Sequence, residues 1–466
     1  MKPPREGEGS GRLCLTAADL DALNSHRTGL EGQAVCHAPV RSLFFGLRGK
    51  VYTCCFNKTH AAGSYPAQSI REIWEGVAIR AQRGALENRD LSFGCAGCYS
   101  IIKGRNISAL PLRAYDGLAP DNHGMPARME FELFNTCNLE CIMCRGEFSS
   151  AIRANREKRP PIPAPYDSAF FEQVEEFIPT LKSCRFLGGE PFLIPAYVAL
   201  WERMAFLNPS LAIFIQTNAT VLNQRTMDIL RGGRFHISVS LDSVHQEGYE
   251  AIRKNARFDR VMENVGWLGE YTRGSGTTFG ISCCPMPQNW RDLPDVVQFA
   301  NKSGASLHFT TVEAPTECSL QALPAAEITR IRESLSAFRP PADNAVEARN
   351  RQAFLDLLAQ IEAWETAARW KAANGIAGPP ADLGAFLAQI ERVARSTSSV
   401  EATGKMMTEI EGTLRFILEY AELRGLREPA EAKMISSPPE LLCRSMPGLS
   451  RQDALRLFQA FVFPID

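Results

Sequence analysis

The sequence lacks any long apolar run. No stretch approaches the ~18 uninterrupted apolar residues of a membrane-spanning helix, and residues 1–12 carry no apolar core of a secretion signal. It also lacks an excess of either charge. Its 51 basic and 52 acidic residues give a formal charge of −1, which supplies no field for nucleic acid or an anionic membrane. Internal repeats and low-complexity tracts are missing too. These absences predict a soluble, cytoplasmic protein with neither nucleic acid nor membrane as partner. With 466 residues, 45% hydrophobic and 22% charged, the chain is expected to form two or three globular domains.

Cysteine is plentiful. Fourteen cysteines without a secretion signal read as metal ligands or free thiols rather than disulfides. Three of them, Cys137, Cys141 and Cys144, follow a strand-like run at the spacing C-x3-C-x2-C. Three thiolates can hold three irons of a cubane cluster and leave the fourth iron open, whereas a structural cluster uses four. A zinc site with a distant fourth ligand is the competing reading.

A second set lies upstream. Residues 42–47 and 51–53 predict a β-hairpin about a turn at 48–50, with Cys36 and Cys54 near its bases. Ser69 with Glu72 forms a capping box that opens a helix with the apolar stripe Ile70, Ile73, Trp74 and Val77. That helix leads to Cys95 and Cys98. The resulting pattern, C-x17-C-x40-C-x2-C, is enough to close either a [4Fe–4S] cluster or a zinc site, although zinc ribbons usually present two CxxC knuckles. Cys55 competes with Cys54, and strand alternation can aim only one of them inward; Cys54 is preferred. Residues 1–11, polar and rich in Gly and Pro, are expected to be disordered.

From residue 128 strands and helices alternate. Strands are predicted at 128–134, 184–187, 212–218, 237–242, 277–284 and 306–312, and helices at 168–179, 196–207, 224–231, 246–271 (broken near Ala256) and 293–303. The fold class is therefore α/β. A parallel sheet curls into a partial (β/α)6 TIM-like barrel, with a small N-terminal hairpin/helix cluster module and a helical C-terminal region. The expected division is 1–35 extension, 36–110 cluster module, 111–127 linker, 128–313 barrel and 314–466 helical region.

In the fourth barrel strand Ile237, Val239 and Leu241 share one face, and Ser238, Ser240 and Asp242 the other. The fifth opposes Phe279, Ile281 and Cys283 to Gly280, Ser282 and Cys284. Helices cover the outside of such a barrel, so the small polar face lines a roomy interior suited to a ligand. Three strand ends carry chemistry. Gly188 and Gly189 let a ligand approach the backbone beside Glu190, whose carboxylate suits an ammonium group. Thr217-Asn218 suits a ribose or forms a turn. Arg253 can clamp a carboxylate or simply face solvent.

Together these residues resemble the radical S-adenosylmethionine (radical SAM) superfamily, over roughly residues 128–312. The N-terminal pattern resembles its auxiliary-cluster modules of the twitch/SPASM type, which in most members follow the barrel rather than precede it. The resemblance implies that Cys137, Cys141 and Cys144 bind a [4Fe–4S] cluster whose open iron chelates S-adenosylmethionine. Glu190 would hold its ammonium, with backbone from Gly188 and Gly189. Asn218 would contact the ribose, and Ser240 and Arg253 the carboxylate. Met143 stands where the family usually has an aromatic residue. Cys36, Cys54, Cys95 and Cys98 would hold an auxiliary [4Fe–4S] cluster without an open iron, suited to electron transfer.

After residue 314 amphipathic helices are expected at 345–374, 382–395 and 401–426, loops at 375–380 and 438–439, and an apolar last turn at 454–463. They read as a cap on the barrel wall, a dimer surface or a substrate lid. Cys284 and Cys318 could donate a hydrogen atom to a substrate radical, or be small buried residues. The expected activity is reductive cleavage of S-adenosylmethionine and hydrogen abstraction from an unactivated carbon of a peptide or natural product. An external one-electron donor of the flavodoxin or ferredoxin type would serve it. A small-molecule dehydrogenase or epimerase, a non-enzymatic electron carrier or redox sensor, and a zinc-stabilised binding protein are the alternatives.

Overall fold

Among the described residues nine strands make one open sheet in the order β3-β2-β1-β4-β5-β6-β7-β8-β9. The computed structural model describes residues 13–27, 35–103, 107, 110–118, 124–373, 383–397 and 400–423. The disordered N-terminus expected at 1–11, the loops at 375–380 and 438–439 and the last turn at 454–463 lie outside them.

The strands are β1 (Ser42–Phe45), β2 (Lys50–Tyr52), β3 (Gly63–Ser64), β4 (Arg128–Phe131), β5 (Ser183–Phe186), β6 (Ala212–Thr217), β7 (Arg234–Ser240), β8 (Phe279–Cys283) and β9 (Ser306–Phe309). From β4 to β9 every neighbouring pair is parallel, as the alternation with helices predicts. The N-terminal segment supplies α1 (Ala17–Asn24), α2 (Ala38–Arg41), α3 (Ile70–Trp74), α4 (Val77–Glu87) and α5 (Ala96–Lys103). The crossovers are α6 (Ser150–Asn155), α7 (Ser168–Glu175), α8 (Pro195–Leu207), α9 (Gln224–Arg231), α10 (Gln246–Ile252), α11 (Phe258–Ser275) and α12 (Leu293–Ser303). Then come α13 (Ala325–Ser336), α14 (Ala345–Ala373), α15 (Leu383–Thr397) and α16 (Val400–Leu423). The sheet runs from β3 at one edge to β9 at the other, so the barrel is partial and open.

The hairpin does not stand alone. β1 lies parallel to β4, Ser42 opposite Arg128 and Phe45 opposite Phe131, which makes it a seventh parallel strand of the wall. All four β1 residues are buried, a pattern that a strand covered on both faces requires. Phe45 stacks on Phe131 at 5.5 Å, and Phe131 on Phe186 at 4.9 Å, so one aromatic row crosses three strands. β4 ends earlier than expected because the Leu133 N–H goes to the Tyr197 hydroxyl at 2.8 Å instead of to a neighbouring strand. The break expected near Ala256 separates α10 from α11, with Asn255 in the left-handed region.

The two faces of the wall divide as the alternation predicts. Ile213, Ile215, Phe235, Ile237, Val239 and Ile281 are buried against the helical layer, while Ser238, Ser240 and Gly280 are half-buried and Gln216 is exposed on the inner side. At the far edge α14 packs on β9. Its fully buried Asn350 accepts from the Leu307 N–H (2.7 Å) and donates to the Ala305 carbonyl (2.9 Å).

Candidate active site

The 137–144 loop leaves the carboxyl end of β4. Asn135 donates to the Gly146 carbonyl (2.9 Å), the Ser149 hydroxyl to the Leu139 carbonyl (2.7 Å), and the Cys137 N–H reaches the Ser150 hydroxyl (3.1 Å). Ser149 also caps α6. A short capped helix thus clamps the loop from behind. Its three thiols feel one another: burial pushes Cys141 up to about 12, with Cys144 and Cys137 adding to the rise and Arg253 opposing it. Nitrogen donors stand against two of the sulfurs, Asn218 Nδ2 at 3.8 Å from Cys137 and Arg253 Nη1 at 3.9 Å from Cys141. Such donors stabilise thiolate sulfur, so the set fits an iron–sulfur cluster.

Gly188 and Gly189 both lie in the left-handed region, at φ +79° and +57°. A Cβ at 188 would sit 2.8 Å from the Phe134 carbonyl oxygen, and one at 189 would sit 2.2 Å from that of Thr136. The glycines therefore let the backbone of the cysteine loop, rather than a ligand alone, pass close. The Glu190 N–H donates to the Thr136 carbonyl at 2.7 Å and locks the two loops together.

Glu190 is fully buried, and its oxygens are already engaged. Oε1 accepts from the Thr217 hydroxyl (2.6 Å) and the Phe192 N–H (3.1 Å), and Oε2 from the Asn218 N–H (2.6 Å). Burial pushes its pKa up to about 7, against the pull of these donors and of Arg253. The side chain ties the end of β5 to the end of β6 and so sets the position of Asn218.

Arg253 is brought to the same place, but not alone. Its Nη2 pairs with Asp242 at 2.8 Å, both groups buried. Burial by itself lowers its pKa, and Asp242 and Cys141 outweigh that, holding it above the ordinary value. Asp242 Oδ1 accepts from the Cys284 N–H at 2.7 Å. Cys284 is half-buried; burial and then Asp242, with smaller contributions from Cys141 and Cys144, raise its pKa to about 12. Cys318 is buried in the same apolar cluster that Cys284 borders. Ser240 stands on the inner face of β7 with Gln216 Nε2 3.5 Å away. The role of Asp242 was missed, although its place on the polar face of the fourth barrel strand was a signal for it.

The second cysteine set gathers at the other end of the sheet. Cys36 precedes β1, and Cys54 follows β2, which runs antiparallel to β1. Both therefore lie by the amino ends of the parallel strands. With Cys95 and Cys98 they line one cavity, walled by Leu86, Leu91 and Leu112. Burial raises all four thiols, and Cys36 is raised further by each of the other three. They ring a space instead of meeting at a point: among the described residues no three His, Cys, Asp or Glu side chains are grouped to hold a single metal ion. Four half-buried thiols around a cavity fit a cluster with every iron ligated. Gln82 braces them, accepting from the Thr53 hydroxyl (2.9 Å) and placing Nε2 4.0 Å from Cys95. Cys55 instead turns to the Tyr115 hydroxyl at 3.7 Å, which donates to the buried Glu130 on the inner face of β4 (3.0 Å).

Between the two ends lies the inner face. Glu130, Arg185, Phe214 and His236 occupy one registered row across β4–β7, and Phe214 stacks on His236 at 4.4 Å. Burial, and then Arg185, lower the pKa of His308 on β9, so a guanidinium and a neutral imidazole share the inner space. Lys58, four residues after Cys54, pairs with Glu132 (2.8 Å), whose Cγ lies 2.9 Å from where a Cβ on Gly188 would be. One ion pair thus joins the loop after Cys54 to the strand that leads into the cysteine loop.

Comparison with known proteins gives a consistent result. Residues 131–300 match the radical SAM superfamily and residues 36–99 an iron–sulfur cluster-binding domain of the SPASM type. GTP 3′,8-cyclase of Streptomyces coelicolor is 26% identical over 193 residues, which are 41% of this chain and 54% of that protein. A probable GTP 3′,8-cyclase of Methanocaldococcus jannaschii is 26% identical over 190 residues, 40% and 59% of the two chains. The matches span about half the length of these relatives. Among solved structures, Streptococcus suis SuiB bound to S-adenosylmethionine aligns at TM-score 0.33 and 15% identity, over 51% of this chain and 49% of that one. AnSMEcpe with bound AdoMet aligns at 0.36 and 19%, over 45% and 60%. With the matched domains falling on the two cysteine sets, the chain carries a radical SAM superfamily domain with a SPASM-type iron–sulfur domain ahead of it, and its cofactors are [4Fe–4S] clusters and S-adenosylmethionine.

Proposed function

We propose that the chain reductively cleaves S-adenosylmethionine and abstracts hydrogen from an unactivated carbon of a substrate held in the barrel interior. The observation that carries this reading is the disposition of the cysteines. Cys137, Cys141 and Cys144 stand at the carboxyl ends of the strands and Cys36, Cys54, Cys95 and Cys98 toward the amino ends, with the polar inner face between. A cluster with an open iron supplies, when bound, the electron that splits S-adenosylmethionine into methionine and a 5′-deoxyadenosyl radical.

The chain's own residues do the rest. Asn218 and Arg253 direct N–H groups at the Sγ atoms of Cys137 and Cys141. Arg253 with Ser240 receives the methionine carboxylate, Arg253 sharing its charge with Asp242. The ammonium sits against the backbone of Gly188 and Gly189 at the edge of Glu190. Because the Glu190 carboxylate is already bonded three times, its larger part is to brace these strand ends. Cys36, Cys54, Cys95 and Cys98 hold the auxiliary cluster that takes an electron from, or returns one to, the substrate. The proposed setting is the cytoplasm, with a one-electron donor of the flavodoxin or ferredoxin type.

Peptide or natural-product tailoring is the proposed substrate class, and an oxidation, bond formation or epimerisation the proposed outcome. The names of the sequence relatives favour a second reading, a small molecule such as a nucleotide. Arg185, on the inner face of β5, would suit its anionic part. Incubation of the anaerobically reconstituted protein with dithionite and S-adenosylmethionine should release 5′-deoxyadenosine, and Cys141→Ala should abolish it. Retention of that activity in Cys141→Ala would sink the assignment.

A further inference from the structure

Tyr249 is buried behind the 137–144 loop, and its hydroxyl is a donor that the fold leaves unused. The loop lies directly on the end of α10. The Glu140 N–H donates to the Lys254 carbonyl (3.1 Å) and the Ile142 N–H to that of Ile252 (3.0 Å). These two bonds flank Cys141 and set it beside Arg253, whose Nη1 is 3.9 Å from the Cys141 sulfur. One turn back stands Tyr249, whose carbonyl accepts the Arg253 N–H at 2.7 Å. Residues four apart share a helix face, so the phenol and the guanidinium are turned toward the same loop.

The Tyr249 side chain is fully buried and packs on the Phe258 ring at 5.5 Å. Among the described residues neither its hydroxyl nor Arg253 Nε has a hydrogen-bond partner. Burial raises the phenol above its ordinary pKa, Arg253 opposes this, and Asp242, Cys141 and Glu190 add to the rise. Those four groups are therefore its charged and polar surroundings. Asp242 is committed elsewhere: it accepts from the Cys284 N–H (2.7 Å) and pairs with Arg253 (2.8 Å). Glu190 already accepts three bonds. A buried hydroxyl without a partner costs stability that a phenyl ring in the same place would not. Of the groups around it, Cys141 is the one whose acceptor strength a cofactor changes, since a thiol accepts weakly and an iron-bound thiolate is charged.

We propose that the Tyr249 hydroxyl donates to the Cys141 thiolate when the 137–144 cluster is bound, and so sets how readily that cluster is reduced. The inference rests on the reading of the loop as a cluster site. Tyr249 is a positioning and tuning residue; it touches neither substrate nor reacting carbon. It joins Asn218 and Arg253 as a third donor to these cysteines, and the first to do so from the buried side. Reduction adds one negative charge that the thiolates share. A donor to sulfur therefore stabilises the reduced state more than the oxidised one and raises the potential.

The test is Tyr249→Phe in the full-length protein, which removes the hydroxyl and keeps the ring. After anaerobic reconstitution, the midpoint potential is read by dithionite titration with electron paramagnetic resonance, on the signal that Cys141→Ala abolishes. In Tyr249→Phe that cluster should be roughly ten-fold harder to reduce, a midpoint about 59 mV more negative for one electron. Phe258→Leu, which disturbs the packing of the ring and leaves the hydroxyl, should keep the wild-type midpoint. In the iron-free protein the hydroxyl has no acceptor, so Tyr249→Phe should unfold in urea at the wild-type concentration or above it. An unchanged midpoint in Tyr249→Phe, an equal shift in Phe258→Leu, or a loss of iron-free stability in Tyr249→Phe would each overturn the inference, the last by showing a structural bond in its place. Failure of the wild type to release 5′-deoxyadenosine would instead overturn the proposed function, and the potentials would still decide the role of the hydroxyl.

Discussion

A methyl group at position 189 has no room. Gly189 sits at φ +57° with the Thr136 carbonyl oxygen 2.2 Å from where a Cβ would be, so Gly189→Ala must displace the cysteine loop or the strand end. The expected cost is about 2–4 kcal/mol, read as a lower thermal midpoint, with loss of iron from the 137–144 set first. Glu190 separates two roles by a single substitution. As a brace, Glu190→Gln places an amide N–H against a donor and lowers the stability of the protein without any cofactor, by about 1–3 kcal/mol. A contact made only to S-adenosylmethionine would leave that stability intact and weaken binding alone. The difference between expectation and structure at this residue is instructive. A Gly-Gly-Glu string announces a tight turn with a carboxylate, but it does not say what passes over the glycines. Here that is residues 134–136 of the same chain, a partner decided by the packing of two loops and not by either string. The Arg253–Asp242 pair was hidden for the same reason, since each residue could be read separately and their 2.8 Å contact could not.

Elements were more legible than their neighbours. The alternation of Ile237, Val239 and Leu241 with Ser238 and Ser240 gave both the strand and its two faces, because a period of two is a local property. The pairing of β1 with β4 is not local. Its only trace is the run Leu43-Phe44-Phe45, which does not alternate as a hairpin with one wet face would. The long helix α14 was predicted, and its anchorage through Asn350 was not, because a buried asparagine in a helix gives no sign of which strand edge it will meet. Asn350→Leu should strand the Leu307 N–H and the Ala305 carbonyl and cost about 2–4 kcal/mol in urea unfolding, with hydrogen exchange at β9 rising first. An unchanged midpoint would contradict that anchorage. At the other end α1 is joined to α5 by Asp19 and Lys103 at 2.9 Å. Burial alone would raise the Asp19 pKa, but Lys103 and the capping contacts with Thr16 bring it down to about 2 from 3.8. A depressed carboxyl contributes stability above its unfolded value, and that contribution is lost as the pH falls from about 4 through 2. Hydrogen exchange over residues 96–103 should accelerate across that window in the wild type. In Asp19→Asn it should already be faster at pH 7 and show no such step.

At the scale of the whole molecule, the order of the two domains matters less than their shared sheet. A cluster module placed before the barrel could simply hang from it by a linker. Instead β1 is a strand of the wall, and its direction puts Cys36 and Cys54 at the end opposite Cys137, Cys141 and Cys144. Lys58 and Glu132 then cross the distance between the two loops with one ion pair. No helix among the described residues is long and apolar enough to cross a membrane. The existence of two cysteine sets could be read from spacing. Their opposition could not, because it follows from a parallel pairing between strands more than eighty residues apart in sequence, Ser42 with Arg128. The central claim is that each end holds its own cluster, and iron and sulfide analysis after anaerobic reconstitution tests it most directly. About eight irons and eight sulfides per chain are expected, falling to about four of each when Cys137, Cys141 and Cys144 are all replaced by Ala. Four irons in the wild type, lost entirely in that triple variant, would contradict it.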